Sequence, residues 1–537
     1  MKQYIKKLLV LPLAALFFFG ACTDNFEEMN TDPVGISDED LKADYQFIGV
    51  HFPQIQQMIY CNYNWGWGVN WPYQIMQNLN ADIFSGYMMT PTPFAGNVNN
   101  TTYALVDGWN ASPFDYTYAY MMPAVKAVKD KSEADFPSFY AVSRILKVLG
   151  LSRVATQYGP IIYSQYGESK TGGEYDKESD LYNNFFTDLE EAVDALETYV
   201  EANPDAKPFA KFDNFFGGDY NQWIKFANSL QLRLAMRIVK VNPELAKTKA
   251  EEAIDGGVFE AGDIAQIVAN GYTHPLAAIS GSWGDIAMSA EMESMLTGYE
   301  DPRMAKFFNA PADAAVVEAG YEFKGIRQGI AIDDKATYGG HSLLSLQPES
   351  PAVLMTAAEV YFLRAEGALR GWDVEGNAPD LYEMGVEASF SQWGVSGDLD
   401  SYLESDNLPV AYVDVKNAEN SVSADSEYMN KVSPMWESGA TNEVKLQKII
   451  TQKWIAMFPE GNEAWAEYRR TGYPVLFPLV KNDSQGVIDS NNGIKRLNFS
   501  VSEKNNNPEG YAKAVEYLGG ADNGATALWW DVDGSNF

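Results

Sequence analysis

The chain has 537 residues, with 39 basic and 73 acidic side chains and a formal net charge of −34. A surface this acidic repels nucleic-acid phosphates and gains nothing from anionic lipid headgroups, so nucleic acid is excluded as a partner. Hydrophobic residues make up 46% of the sequence, too many for a disordered chain and enough for one large domain or two to three smaller ones.

Lys2, Lys6 and Lys7 precede an apolar run, Leu8 to Phe19, that closes on Gly20-Ala21-Cys22. Twelve apolar residues broken by Pro12 are too few to span a bilayer, so the run is read as a removable signal segment, residues 1–21. The small pair before Cys22 resembles a bacterial lipobox, although Phe19 stands where leucine is more usual. Cleavage and acylation would then make Cys22 a lipid anchor. Asp24, Glu27 and Glu28 follow at once, a patch similar to the surface-export signal of Bacteroidetes lipoproteins. The alternative is an ordinary signal peptide with an incidental cysteine. Loss of three lysines with the signal leaves 36 basic against 73 acidic residues. With Cys22 lipidated only Cys61 remains, which excludes an intrachain disulfide and reads as a buried thiol among aromatics.

Residues 22–37 form a tether, and residues 38–537 the body, with loop-rich stretches around 60–121 and 260–345. Leu41 to Tyr60 reads as a helix interrupted at Pro53. From Tyr60 to Tyr73 aromatics mix with Gly, Asn and Pro without a helical or strand period, and a second aromatic stretch runs from Tyr103 through Trp109, Phe114, Tyr116 and Tyr118 to Tyr120. Loop-borne Trp and Tyr offer flat apolar faces with a polar edge, which suits stacking on a sugar ring. Trp65, Trp67, Trp71, Tyr73 and Trp109 are therefore candidate ligand contacts, to be weighed against plain capping of the core. Apolar residues from Phe139 to Val154 recur at helical spacing up to Gly159-Pro160, and Leu181 to Val200 forms another amphipathic helix whose Glu190, Glu191 and Asp194 read as a solvated face.

Trp223, Phe226, Ala227, Leu230, Leu234 and Ile238 form one apolar stripe flanked by Arg233 and Arg237. Asn242 then caps, and Pro243 starts, a second helix that stops at Gly256-Gly257, which makes a helical hairpin. Further on, Ser350 and Pro351 are read as starting a helix that runs to Gly371, with Leu381 to Trp393 as its partner. Leu446 to Pro474 supplies two more helices around a turn at Pro459 to Asn462. Arg469 and Arg470 are read as pairing with acids such as Glu463 or Glu467 and capping the helix end rather than binding an anion. Trp283 and Tyr299 are candidate ligand contacts by position.

Several of these words carry a resemblance. Asn30-Thr31-Asp32-Pro33, the turn Tyr158 to Tyr163, and Asp301-Pro302-Arg303 are similar to segments of SusD/RagB lipoproteins. So are Phe226-Ala227-Asn228-Ser229-Leu230 with Arg233-Leu234-Ala235-Met236-Arg237, and Glu463-Ala464-Trp465 running to Tyr473-Pro474, which resembles the SusD-like 2 branch. The resemblance covers nearly the whole chain. It implies an all-α dominated fold of about four tetratricopeptide-like helix pairs with a loop-rich capping region that carries the ligand site. It further implies an outer-membrane nutrient-binding lipoprotein facing the cell exterior, capturing oligosaccharide or peptide for a SusC-like TonB-dependent transporter.

An enzyme is the competing reading. The three histidines, His51, His274 and His341, have no metal-ligand neighbours at helical spacing, and no nucleophile elbow, zinc-protease or phosphate-loop motif occurs. No cofactor, metal or catalytic residue is expected, although two carboxylates would suffice for a glycan-processing hydrolase. A structural surface lipoprotein without ligand is the third reading.

Overall fold

Helix ends fall largely where the sequence places caps and breakers. The computed structural model describes residues 42, 44–61, 71–169, 173–268 and 273–537. The chain divides into Met1–Phe47 and Ile48–Phe537, and all elements labelled below belong to the second unit. Cys22, Trp65 and Trp67 lie outside the described residues.

The helices used below are α1 (Phe52–Ile59), α2 (Met122–Ser132), α3 (Pro137–Tyr158), α4 (Glu178–Ala202), α5 (Tyr220–Arg237) and α6 (Pro243–Asp255). They continue as α7 (Ala290–Gly298), α8 (Ala357–Leu369), α9 (Ala378–Gln392), α10 (Asn442–Ala456), α11 (Gly461–Thr471) and α12 (Pro508–Leu518). Asn242 accepts the Leu245 N–H at 3.4 Å ahead of Pro243, and Gly159 ends α3 at φ 89°, a backbone conformation that glycine adopts without strain.

α3 packs on α4, α5 on α6, and α8 on α9, while Lys453 of α10 reaches Glu467 of α11 at 3.0 Å. These are four tetratricopeptide-like helix pairs. Contacts of α4 with α5, α5 with α8 and α8 with α10 chain the pairs together. Because α5 is enclosed on several sides, its apolar stripe from Trp223 to Ile238 is buried and so are Arg233 and Arg237 beside it.

Burying those charges requires partners. Arg233 binds Glu359 through two bonds, at 2.8 and 2.7 Å, and also donates to the Leu354 carbonyl at 2.9 Å. Arg237 pairs with Glu463, and Arg470 with Glu366 at 2.6 Å and Glu467 at 2.8 Å. Four cations, Arg233, Arg237, Lys453 and Arg470, thus meet four acids, Glu359, Glu366, Glu463 and Glu467, with Arg370 joining Glu366 from the rim. Burial alone would raise the Glu467 carboxyl, but Arg470 and Lys453 hold it well below the usual carboxylate range. Arg470 is therefore an ion-pairing residue, as the sequence suggests. Arg469 instead donates to the Trp465 and Lys495 carbonyls, with its guanidinium 3.6 Å above the Trp465 ring.

One reading of the sequence is refined and one corrected. The helical stretch before Tyr60 breaks at Val50 and His51, just ahead of Pro53, which stands in the first turn of α1. The segment after Pro351 is a strand: Ala352–Thr356 pairs antiparallel with Ile264–Ile267, and α8 starts only at Ala357. Thr356 accepts the Glu359 N–H at 3.3 Å, so Thr356 and not Ser350 is the cap. A second short ladder pairs Met88–Met89 with Ala287–Met288 and fastens the two loop-rich stretches to each other.

Candidate functional site

Among the described residues, three π-helical segments, Gln74–Asn78, Thr117–Met121 and Ala277–Ser282, interrupt the loop-rich stretches. Each is next to an aromatic residue singled out in the sequence: Trp71, then Tyr116 and Tyr120, then Trp283. One extra residue per turn shifts the face on which side chains emerge, and such insertions concentrate at functional sites.

Trp71 is 41% exposed and Trp283 is 37% exposed. Gln74, one turn after Trp71, donates its Nε2 to Asp285 Oδ2 at 3.2 Å. Asp285 also accepts from Thr92 Oγ1 at 2.7 Å and from Lys335 Nζ at 2.7 Å, and the same Nζ donates to the Trp283 carbonyl at 2.6 Å. This carboxylate ties together the segments that carry Trp71 and Trp283. Tyr116 meets Trp71 edge-on with centroids 6.1 Å apart, Tyr120 lies 6.0 Å from Tyr116, and half-buried Trp109 stands edge-on to Phe94 at 5.9 Å. Solvent-facing rings beside a fixed carboxylate and ammonium can stack on an apolar ligand face and hydrogen-bond its hydroxyls. Gln74, Thr92, Asp285 and Lys335 were not singled out in the sequence. Only the three-residue step from Trp71 to Gln74 hints at one of them.

Two candidate contacts are withdrawn. Tyr73 is fully buried: its hydroxyl donates to Asp82 Oδ2 at 3.2 Å and its ring stacks 5.1 Å from Tyr60. Tyr299 is 1% exposed, donating to the Val432 carbonyl at 2.7 Å and accepting from Asn430 at 3.0 Å. Both rings fill core positions with satisfied hydroxyls, so neither presents a face to a ligand.

His274, His341 and Cys61 are buried. Burial pushes His274 down to about 3 and His341 down to about 4, and raises the Cys61 thiol to about 11. Among the described residues no group of three His, Cys, Asp or Glu could hold a metal ion, and no helix is long and apolar enough to cross a membrane.

Residues 28–531 match the family model of SusD-like proteins, the SusD and RagB outer membrane lipoproteins. No curated protein matches the chain. Among solved structures, a chitin-binding SusD homolog from Flavobacterium johnsoniae is 47% identical with a TM-score of 0.86, over 91% of this chain and 100% of that one. A SusD homolog from Bacteroides vulgatus is 41% identical with a TM-score of 0.86, over 92% and 100% of the two chains. A SusD homolog from Bacteroides thetaiotaomicron is 31% identical with a TM-score of 0.82, over 91% and 99%. Helix pairs, loop-rich cap and sequence matches agree, and the chain belongs to the SusD-like family of outer membrane lipoproteins.

Proposed function

We propose that this chain is a lipid-anchored capture subunit on the cell surface. It binds an oligosaccharide through the face that carries Trp71 and Trp283 and passes it to a SusC-like TonB-dependent transporter. The observation that carries the reading is the pair of exposed tryptophans tied through Asp285, in a chain 47% identical to a chitin-binding SusD homolog. Chitin oligosaccharides are therefore the first ligands to test. Residues 1–21 would be the export signal and Cys22 the lipidated residue, followed by the acidic patch that directs the body outward. Stacking and hydrogen bonding need no cofactor and no catalytic residue.

The test is a titration of the full chain in detergent with chitin oligosaccharides, other oligosaccharides and peptides, with product analysis on every hit. Saturable binding without turnover, weakened by Trp71→Ala and by Trp283→Ala, supports capture. Turnover would make the protein a hydrolase, and peptide binding in place of sugar would change the ligand class. Binding to nothing would favour a scaffold. Copurification of a TonB-dependent barrel with the chain tests the partner.

A further inference from the structure

A cavity that neither Trp71 nor Trp283 lines is built against α3. Tyr140, Ser143, Arg144 and Lys147 recur at i, i+3, i+4 and i+7 on α3, so they share one side of the helix. That side, with α2 and the segment around Tyr163 to Glu168, encloses a cavity of about 130 Å³. One water needs roughly 10–15 Å³ of such space, so the cavity is several times larger than a water site.

Its walls hold unused hydrogen-bond donors and few unused acceptors. Asp188, the acid deepest in the lining, is saturated: it accepts from the Tyr163 hydroxyl, from Arg144 Nε at 3.1 Å and Nη2 at 2.8 Å, and from Lys147 Nζ at 3.3 Å. Arg144 is occupied by Asp188 and Glu191, and Lys126 by Asp130 at 2.7 Å, with Glu168 beside it at the rim. Lys147 is different. Its three ammonium protons have one carboxylate partner at 3.3 Å, and its Nζ stands 3.6 Å above the Tyr163 ring. Desolvation lowers its pKa, which marks a cation short of compensation. The buried Ser143 hydroxyl in the same wall has no hydrogen-bond partner, and Lys129 stands exposed at the mouth. Half-buried Tyr140 and Tyr166 add flat apolar faces.

We infer that this cavity is a second ligand site, which takes the carboxylate of a small molecule about the size of one sugar. The carboxylate would accept from Lys147, Lys129 and Ser143, with the body of the ligand against the tyrosines. The site is built from other elements than Trp71 and Trp283 and does not rest on the capture reading.

Calorimetric titration of the full chain in detergent with glucuronate, glutamate and glucose tests it. At least one acid is expected to bind, and glucose at least tenfold more weakly. Lys147→Met should lower the affinity about tenfold, the usual loss for one charge-assisted hydrogen bond. Lys129→Gln, on the surface, should lower it severalfold with an unchanged thermal midpoint, and Trp71→Ala should leave it intact. A preference for glucuronate identifies an acidic sugar, and a preference for glutamate an amino acid or peptide end. Glucose binding as well as the acids, neither acid binding at millimolar concentration, or loss of acid binding in Trp71→Ala would each overturn the assignment.

Discussion

Replacing Arg233 by Met should unfold the helical scaffold more easily than any surface charge change. Arg233 and Glu359 are 4% and 1% exposed in their side chains and share two hydrogen bonds, so removing the guanidinium leaves a buried carboxylate with only Lys453 at 3.7 Å. Breaking such a buried pair costs about 3–5 kcal/mol. The double change Arg233→Met with Glu359→Met removes one charge of each sign and leaves the net charge of the network as it was. Lys453 then keeps Glu467 at 3.0 Å, and Glu463 keeps Arg237. The Leu354 carbonyl loses its donor in either case, at about 1 kcal/mol, so the double variant should lie within about 2 kcal/mol of the wild type. Urea unfolding followed by tryptophan fluorescence reports the change, because Trp223, Trp454, Trp465 and Trp530 are fully buried. A single variant that costs less than about 1 kcal/mol, or a double variant that costs the sum of both singles, would refute the reasoning.

Other predictions are shorter. Trp71→Ala and Trp283→Ala should each weaken oligosaccharide binding about tenfold without moving the thermal midpoint, since both rings are partly exposed; fluorescence titration checks this. Burial raises Glu178 from 4.5 to about 7, so the fold binds its proton more tightly than the unfolded chain does. Its stabilising contribution is full below about pH 4.5 and lost as pH rises to about 7, so the wild type should lose up to ~3 kcal/mol more than Glu178→Gln across that window in urea titrations. Glu178 suits this comparison because its Oε1 has no hydrogen-bond partner for an amide to disturb. A Cβ on Gly461 would stand 2.6 Å from the Asp82 Cα, a backbone atom, so Gly461→Ala should destabilise by about 1–3 kcal/mol in the same assay. Cys22→Ser should move the protein from the membrane fraction to the soluble fraction on cell fractionation.

The scaffold was legible because its helices obey local rules. Asn242-Pro243 states a cap and a first turn, and the stripe from Trp223 to Ile238 states a buried face. The misreading at Ser350-Pro351 has the same origin, since Ser before Pro imitates a helix start. Nothing local announces that Ala352–Thr356 will pair with Ile264–Ile267, almost ninety residues earlier. Arg233 and Arg237 could be seen lying beside an apolar stripe, but not that α8 and α11 bring carboxylates to them.

The candidate site was legible only as composition. Aromatic residues in loops announce rings that are either ligand contacts or core, and the sequence holds no term that separates the two. Tyr73 and Trp71 stand two residues apart, yet Asp82 and Tyr60 draw one ring fully inside while the other is 41% exposed. The two side chains share the helical turn Trp71–Tyr73 and emerge about 200° apart around it, and long-range partners such as Asp285, which meets Gln74 across 211 residues, fix which side faces the core. What fixes the candidate ligand face is therefore the tertiary hydrogen bonding behind the rings. The substitutions that separate ligand contact from core filling are those at Gln74 and Asp285, which touch no ring and yet hold the two tryptophan segments together.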